Sequence, residues 1–243
     1  MATKVPVKKI TAWSFSRYSD YRQCPLKCKL KHIDKIAEPK NPAMARGGMI
    51  HTVAEEYIKG KGRTIPPELK LFEPTFKMLR AQYKKKINGM VVEDNWSFTK
   101  DWVETEWNNW ALCWVRIKLD CAHHDDDVTL RIRDWKTGKF REEMNEEYVE
   151  QLELYALAAL LLHEHIERVT PELDYLDYGV VYPPEGQEMV FTRADIPKLK
   201  KTWEKRVKAM LNDTVFAPRP NDKCHWCYFR SSNKANGGGQ CKF

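Results

Sequence analysis

Two segments of alternating apolar and polar residues, 110–120 and 128–135, constrain the fold of this chain most strongly. Such alternation is typical of half-buried β-strands, and the acidic stretch between them, His123–Asp127, is short enough for a tight connection. The pattern therefore predicts two neighbouring antiparallel strands. Asp120 ends the first segment and Asp134 lies near the end of the second, so we expect both carboxylates at one edge of the sheet.

These two carboxylates and Lys136 together predict a metal-dependent site. Carboxylates a few ångströms apart raise each other's pKa unless a divalent cation neutralises them. Mg²⁺ and Mn²⁺ prefer such oxygen ligands and retain water for chemistry. Lys136 follows Asp134 by two residues, which places both on the same face of a strand. There it can orient an attacking water or stabilise phosphorane charge. Taken alone, a DxK segment also suits a surface turn that leaves a hairpin.

The remaining pattern predicts a mixed α/β domain in which helices precede a strand meander, followed by helix, strand and helix. Helices are predicted at 14–36 (starting near Ser16 or Ser19), at Met49–Lys59 after an opening Gly47–Gly48, and at 68–86, 146–165 and 195–212. Further strands are predicted at 91–99 and 174–182. At 243 residues the chain suits one domain, with an irregular, cysteine-bearing tail from Pro218.

Composition excludes some classes of protein and leaves others open. The longest apolar run, Leu154 to Leu162, is far too short to span a bilayer, and the first thirteen residues lack the apolar stretch of a secretion signal. We therefore expect a cytoplasmic protein rather than a membrane or secreted one. The formal net charge of +7 is compatible with a polyanionic partner but is modest for this length. Seven cysteines in a reducing compartment indicate metal ligands or buried thiols rather than disulfides.

Five groups of residues resemble the PD-(D/E)XK nuclease superfamily in its RecB-type branch, which includes phage exonucleases, CRISPR adaptation nucleases and helicase-linked nucleases. The matching residues are Ser14-Phe15-Ser16-Arg17-Tyr18 with Tyr21 and Cys24-Pro25, Gly47-Gly48-Met49-Ile50-His51, Asp120, Asp134-Trp135-Lys136-Thr137-Gly138, and Gln151 with Tyr155. The order and spacing hold over most of the chain. Leu119 departs from the family name, which has proline there.

The resemblance implies a restriction-endonuclease-like core, in which a central mixed sheet is flanked by helices, over residues 47–212 of a single nuclease domain 1–243. It implies that Mg²⁺ or Mn²⁺ is bound by His51, Asp120, Asp134 and the backbone carbonyl of Trp135. Lys136 matches the catalytic lysine, and Gln151 and Tyr155 match a helix motif that lines the active site. For Tyr155, core packing remains an alternative. Glu55, one turn after His51, either assists the site or faces water.

The tail after Pro218 has little apolar content and needs something to hold it. A Cys-x-x-Cys pair suits zinc or an iron–sulfur cluster, and a cluster needs four thiolates. In the resembling nucleases a 4Fe–4S cluster joins the two ends of the chain, here 14–36 and 218–243. Its ligands would be Cys24, Cys224, Cys227 and Cys241. Zinc remains the alternative for these four, and His225 could join a zinc site. Cys28, Cys113 and Cys121 are expected to be buried structural thiols.

Basic and aromatic residues interleave in the first predicted helix. Basic side chains neutralise phosphates and aromatic rings stack on unpaired bases, so Arg17, Tyr21, Arg22 and Lys27 are candidate DNA contacts; a solvated helix face explains the pattern equally. The chain has no GxxxxGK[ST] helicase loop. We therefore expect a nuclease that works alone or with a separate recombination or helicase protein.

The function predicted from these features is a metal-dependent DNA exonuclease acting on single- or double-stranded ends in recombination, repair or degradation, encoded by a prokaryotic cell or a phage. Two alternatives remain open. One is a CRISPR-adaptation-type nuclease that trims DNA. The other is a non-catalytic DNA-end-binding module on the same scaffold, against which the set Asp120, Asp134 and Lys136 argues.

Overall fold

A computed structural model of the chain describes residues 9–39, 41–87, 90–140 and 146–243. The chain divides into two compact units. We call Met1–Pro39 with Thr202–Phe243 the terminal unit, and Lys40–Lys201 the central unit. The α-helices of the described residues are α1 Phe15–Gln23, α2 Pro25–His32, α3 Pro42–Ile58, α4 Glu73–Lys84, α5 Glu146–Leu162 and α6 Ile196–Asn212.

A mixed β-sheet forms the centre of the central unit. Its strands are β1 Val91–Phe98, β2 Val115–His124, β3 Thr129–Lys136, β4 Arg168–Tyr175, β5 Val180–Tyr182 and β6 Phe191–Thr192. They lie in the order β1-β2-β3-β4-β5, with β6 paired to β4. Only the β3–β4 pair is parallel among these strands, and α5 connects the two, as a parallel pair requires. The predicted α/β fold with a mixed sheet flanked by helices is confirmed.

An apolar cluster joins α3 and α4 to the sheet. Ile50 and Ala54 from α3 and Phe76 from α4 are fully buried there. Trp135 of β3 and Cys121 of β2 pack in the same cluster, and the Trp135 ring lies 5.6 Å from that of Phe76. Because side chains alternate along a strand, Trp135 anchors β3 in the core while its neighbours Asp134 and Lys136 point elsewhere.

The terminal unit has its own aromatic core. Trp13 stacks on Trp203 with ring centroids 5.4 Å apart, and Tyr18 of α1 packs edge-on against the same indole at 5.6 Å. The C-terminal tail contributes two short 3₁₀ helices, Asp222–Trp226 and Ser231–Asn236. The terminal unit therefore has a packed centre independent of any bound group.

Several predicted boundaries are wrong, each for a local reason. The helix predicted over 14–36 is two helices, because the chain is extended at Cys24 and Pro25 starts the second. The first begins at Phe15, capped by the Ser14 side chain. Gly47–Gly48 does not open a helix but lies inside α3, which Asn41 caps. A Cβ at Gly47 would approach Thr137 Oγ1 to 3.1 Å, so the glycine allows α3 to lie close to the segment after β3.

The strand and helix predictions differ from the structure in three further places. β2 begins at Val115, later than the predicted 110, and continues to His124. The helix predicted over 68–86 is a 3₁₀ segment, Pro67–Phe72, followed by α4. The strand predicted over 174–182 is β4 and β5, separated by a turn at 176–179. Within the described ranges, no helix is both long and apolar enough to cross a membrane.

Candidate active site

The β2–β3 pairing brings the two predicted carboxylates together. The strands are antiparallel and pair as far as Cys121 opposite Arg133, and Asp120 and Asp134 are the next residues on the two strands. They are close enough for the charge of Asp134 to raise the pKa of Asp120. Both residues are buried, with exposed fractions of 9% and 4%. The local alternation of the two strands therefore creates a pair of buried acidic side chains.

His51 of α3 lies between three oxygen acceptors. Its Nδ1 is 3.1 Å from Glu93 Oε1 and 3.3 Å from Asp120 Oδ1. Its Nε2 is 3.1 Å from the carbonyl oxygen of Trp135. In the described part of the chain, His51, Glu93 and Asp120 form the one group of three such side chains whose ligand atoms lie within 4.8 Å of one another.

The backbone of Trp135 links this group to β3. Its N–H donates to Asp120 Oδ2 at 2.7 Å, and its carbonyl faces the His51 ring. The indole is buried in the apolar cluster and meets the His51 ring edge-on at 5.7 Å. The predicted ligands His51, Asp120 and the Trp135 carbonyl are therefore brought together, with the backbone of β3 held fixed by its own side chain.

Asp134 is the centre of a second set of contacts. Its Oδ2 forms a 2.5 Å salt bridge with Lys136 Nζ. Its Oδ1 accepts hydrogen bonds from Tyr155 Oη at 3.2 Å and from Gln151 Nε2 at 3.3 Å. Gln151 Oε1 accepts from Lys136 at 3.2 Å, and Gln151 Nε2 donates to Tyr155 Oη at 2.6 Å. The i, i+4 spacing of Gln151 and Tyr155 puts both on one face of α5. Contacts therefore connect all four predicted residues.

The electrostatics of the group favour a protonated histidine when no cation is bound. Burial opposes the charge of His51, but hydrogen bonds to Asp120 and Glu93 raise its pKa to about 10. Burial raises the pKa of Asp120 to about 6, and the charge of Asp134 adds to that increase. A site that holds several carboxylates in a buried place therefore needs positive charge, which the imidazolium supplies here.

The same charges act on Lys136 and Tyr155. Burial would lower the pKa of Lys136, but the charge and hydrogen bond of Asp134 raise it, so the lysine is a cation at neutral pH. Burial, together with the charge of Asp134, raises the pKa of Tyr155 well above its ordinary value. Tyr155 is therefore a neutral hydroxyl that donates to Asp134. Its ring is also buried, so Tyr155 both packs in the core and contacts Asp134.

The donor set fits a divalent cation. Carboxylate oxygens and a backbone carbonyl are the ligands that Mg²⁺ and Mn²⁺ prefer, and a neutral imidazole suits Mn²⁺ as well. In its protonated form, His51 donates hydrogen bonds to Glu93, Asp120 and the Trp135 carbonyl oxygen. A cation bound to neutral His51 would satisfy the same acceptors, so the residues present are compatible with the metal that the sequence predicts.

Glu93 is the residue that sequence reasoning missed. It lies in β1 between Val92, paired with Cys121, and Asp94, paired with Leu119, and so stands opposite Asp120. Its backbone is left-handed, with φ 51°, which is uncommon outside glycine and often marks a functional position. Glu55, which the sequence suggested as a helper, instead pairs with Lys59 at 2.6 Å on the surface of α3.

In the terminal unit, the four predicted cluster cysteines line one half-open pocket. Cys24 lies between α1 and α2. Cys224 lies within the 3₁₀ helix Asp222–Trp226 and Cys227 directly follows it, and the N–H of Cys241 donates to the carbonyl of Phe229. The backbone N–H of Arg219 donates to Cys24 Sγ at 3.4 Å, and that of Asn221 to Cys224 Sγ at 3.3 Å.

The pocket is lined by four thiol side chains, the type and number of ligands that a zinc ion or an iron–sulfur cluster requires. N–H donors directed at sulfur are the usual surroundings of metal-bound thiolates. Burial raises the pKa of Cys227, so its thiolate needs a nearby cation to form at neutral pH. The other three cysteines, Cys28, Cys113 and Cys121, are buried free thiols, as predicted. Burial raises the pKa of Cys28 to about 12, which makes it inert.

The four candidate DNA contacts all have partners within the terminal unit. Tyr21 Oη donates to Asp213 at 2.8 Å, and Lys27 forms a 3.2 Å salt bridge with Asp20. Arg17 donates to the carbonyl of Ala12 at 2.6 Å, and the Arg22 guanidinium lies over the Tyr18 ring at 5.6 Å. Each of the four side chains therefore has a partner within the protein, and its role in DNA binding stays a prediction.

Comparisons with known proteins identify a family and similar solved structures. A family model described as the PD-(D/E)XK nuclease superfamily matches residues 12–232. No curated protein sequence matches the chain. Among solved structures, SSO0001 is 16% identical, with a TM-score of 0.48 over 92% of this chain and 86% of its own. A candidate exonuclease from Eubacterium rectale is 12% identical, with a TM-score of 0.49 over 93% and 88%.

Proposed function

Because the chain belongs to the PD-(D/E)XK nuclease superfamily, we propose that this nuclease is a metal-dependent exonuclease that hydrolyses phosphodiester bonds at DNA ends. The observation that supports the proposal best is that the His51 ring lies within 3.3 Å of both Asp120 Oδ1 and the Trp135 carbonyl oxygen. The salt-bridged pair of Asp134 and Lys136 lies on β3, one residue to either side of Trp135.

In this proposal His51, Asp120, Asp134 and the carbonyl of Trp135 hold Mg²⁺ or Mn²⁺, and Glu93 is a further candidate. When bound, the metal would polarise the scissile phosphate and lower the pKa of water. Lys136, kept cationic by Asp134, stabilises the negative charge that develops on the phosphorane oxygens and orients the attacking water. The reaction breaks one P–O bond, and the attacking water supplies the new P–O bond and a proton for the leaving oxygen.

Gln151 and Tyr155 act by positioning. Tyr155 donates to the same oxygen of Asp134 that accepts from Gln151, which leaves Oδ2 for Lys136. Because Gln151 also accepts from Lys136, the carboxylate and the ammonium are held in one geometry. Such preorganised hydrogen bonds reduce the reorganisation needed during the reaction.

A cleavage assay with end-labelled DNA tests the nuclease proposal. Linear single-stranded, linear double-stranded and circular DNA are incubated with Mg²⁺ or Mn²⁺ and with the wild type, Asp134→Asn or Lys136→Ala. Lys118→Ala, an exposed lysine of β2, is the matched control. We expect the wild type and the control to degrade linear DNA from its ends and the two site variants to be inactive.

Three outcomes would contradict this proposal in different ways. Equal cleavage by all four proteins would overturn the mechanism. Cleavage of circular DNA at the same rate as linear DNA would replace the exonuclease with an endonuclease. Binding of DNA ends without cleavage by the wild type would support the end-binding module instead. The position of the label gives the polarity of degradation.

We further propose that Cys24, Cys224, Cys227 and Cys241 hold a 4Fe–4S cluster. The support is the shared pocket and the N–H groups directed at two of the sulfurs. The protein purified without air should be brown and contain about four iron and four sulfide per chain. A colourless protein with one zinc per chain would replace the cluster with a zinc site.

A further inference from the structure

The ammonium of Lys136 has an aromatic partner in addition to its two polar ones. Its Nζ lies 5.0 Å from the centroid of the Tyr148 ring, besides its contacts with Asp134 at 2.5 Å and Gln151 at 3.2 Å. A cation within about 6 Å of a ring centroid is attracted to the negative face of the ring. This attraction is stronger where water is excluded, and the Lys136 side chain is only 20% exposed.

The position of Tyr148 on α5 explains how its ring reaches Lys136. Tyr148 lies in the first turn of the helix, three residues before Gln151, which itself precedes Tyr155 by four. Spacings of three and four residues place side chains on the same face of a helix. One face of α5 therefore presents three side chains to the end of β3: a ring at Lys136, an amide between Lys136 and Asp134, and a hydroxyl at Asp134.

The contact of Tyr148 differs in kind from those of Gln151 and Tyr155. The latter two use polar atoms, whereas Tyr148 meets the ammonium with its ring. The attraction comes from the electron density of the ring face, so it requires an aromatic residue but not the hydroxyl. An aliphatic side chain at this position would fill the space without attracting the ammonium.

Proximity on the sheet does not by itself give Lys136 such a partner. Tyr175 is its neighbour in the parallel β3–β4 ladder and lies on the same face of the sheet. The Tyr175 ring, however, packs against that of Phe140, with centroids 5.0 Å apart. Among the described residues, the ring in cation–π contact with Lys136 is that of Tyr148.

A neutral ring holds Lys136 without using up its hydrogen-bonding capacity. An ammonium has three N–H donors, and oxygens of Asp134 and Gln151 lie within reach of two of them. In the proposed function Asp134 is also a metal ligand, so its charge is shared between the cation and Lys136. The ring keeps its attraction for the ammonium in that state, because Mg²⁺ and Mn²⁺ take oxygen ligands.

We propose that Tyr148 is a positioning residue for Lys136, whose ammonium is held in place for catalysis by the face of the Tyr148 ring. This inference rests on the proposed nuclease function and adds a residue to it. In this role Tyr148 acts through Lys136 rather than on the substrate. Its loss should therefore lower kcat and leave the KM for DNA close to the wild-type value.

The first test measures kcat and KM on end-labelled linear DNA with Mn²⁺. We expect kcat to fall about 10-fold in Tyr148→Leu, the rate equivalent of a partly desolvated cation–π contact, and less than about 2-fold in Tyr148→Phe, which keeps the ring. Tyr178→Leu, at an exposed tyrosine of the turn after β4, is the matched control and should behave as the wild type does. An unchanged kcat in Tyr148→Leu, or an equal loss in both variants of Tyr148, overturns the proposal.

Fluorinated rings separate attraction from packing. Phenylalanine and its mono-, di- and trifluorinated analogues are introduced at position 148. Each fluorine withdraws electron density from the ring face but changes the shape of the ring little, so these proteins should fold alike. We expect kcat to fall stepwise as fluorine is added. A constant kcat through the series would mean that the ring only packs, which overturns the proposal.

A measurement without metal or DNA distinguishes failure of this inference from failure of the proposed function. Protons over a ring face resonate upfield because of the ring current. The ε-protons of Lys136, observed with ¹³C-labelled lysine and assigned with Lys136→Arg, should therefore be shifted upfield in the wild type and Tyr148→Phe but not in Tyr148→Leu. A wild type that shows this shift but cleaves no DNA contradicts the proposed function, while the hold of Tyr148 on Lys136 stands. Unshifted ε-protons in the wild type overturn the inference whether or not DNA is cleaved.

Discussion

The carboxylate site of the central unit and the cysteine pocket of the terminal unit are built on different kinds of backbone. Asp120, Asp134 and Lys136 lie on paired strands, and His51, Gln151 and Tyr155 lie on helices. The four pocket cysteines lie between helices, in a 3₁₀ turn and in the irregular tail.

Because of this difference, we expect the cation of the carboxylate site and the cluster of the cysteine pocket to have different roles. In the carboxylate site, ladder hydrogen bonds and the buried Trp135 fix the side chains before any cation arrives. In the cysteine pocket, few regular elements fix the tail, although Arg219 and Asn221 donate to backbone carbonyls next to Cys24. We therefore expect the cation to serve chemistry and the cluster to serve folding.

The largest expected effect comes from Asp120→Asn. The change removes the negative charge of a metal ligand and replaces one of its two oxygens with an NH₂ group, while the strands remain paired. We expect DNA hydrolysis to fall on the order of 1,000-fold, since removing preorganised charge stabilisation has effects of that size. The visible absorbance of the cysteine pocket should not change. Hydrolysis rates measure the loss of activity, and absorbance spectra measure whether the cysteine pocket is affected.

Asp101→Asn, at an exposed acidic residue of the turn after β1, is the control for that variant and should keep full activity. If Asp120→Asn lost the visible absorbance together with the activity, the two regions would not be independent, and the contrast between them would fail.

Cys224→Ser is expected to affect the cysteine pocket and to leave the carboxylate site unchanged. Without one of four thiolates the cluster should be lost, and the tail from Pro218 should become sensitive to protease, because a metal site of this kind contributes its binding energy to folding. The central unit should keep its protease resistance and its affinity for Mn²⁺. Limited proteolysis with mass spectrometry and Mn²⁺ titration test these expectations.

Cys28→Ala provides the matched control, since Cys28 is a buried thiol of the same unit outside the pocket. It should keep both iron and visible absorbance. A tail that stays protected in Cys224→Ser would mean that protein contacts alone hold it, against the proposed role of the cluster.

The contrast also explains which features could be predicted from the sequence. The opposition of Asp120 and Asp134 follows from local alternation and from the residue count of one hairpin. The i, i+4 spacing of Gln151 and Tyr155 likewise requires only that the segment is helical. The geometry of such motifs follows from their spacing along the chain.

Features that depend on distant segments could not be predicted. Glu93 reaches Asp120 through a strand pairing with a sequence separation of 27 and through a left-handed backbone. The Tyr21–Asp213 hydrogen bond spans 192 positions, so no local pattern indicates that the Tyr21 hydroxyl has a partner. Gly47–Gly48 predicts the start of a helix locally, whereas both glycines lie inside α3, where Gly47 is close to Thr137 of a distant segment.

Glu93→Gln tests the residue that the sequence did not reveal. The amide keeps the shape but removes the charge beside His51, so we expect metal affinity to fall by about 10- to 100-fold. Isothermal titration with Mn²⁺ measures the change. Glu55→Gln, at the surface ion pair with Lys59, should leave the affinity unchanged. Equal affinities for Glu93→Gln and the wild type would exclude Glu93 from the metal site.

The smallest effect is expected from Asp20→Asn, which tests whether the terminal unit has a stable network of its own. Burial would raise the pKa of Asp20, but the hydrogen bond with His32 and the charges of Lys27 and Lys31 hold it well below its ordinary value. The oxygens of Asp20 lie 2.8 Å from His32, 3.2 Å from Lys27 and 3.0 Å from Lys31.

A carboxyl whose pKa is lower in the folded state stabilises the fold above its unfolded pKa, and this stabilisation is lost as the pH falls toward the folded value. We therefore expect Asp20→Asn to lower the free energy of unfolding by about 2 kcal/mol at pH 7, a loss that shrinks below about pH 4. Urea unfolding at several pH values measures it. Asp34→Asn, which breaks the more exposed pair with Lys29, should cost less than about 1 kcal/mol. If Asp20→Asn is as stable as the wild type at pH 7, the contacts of Asp20 do not stabilise the terminal unit.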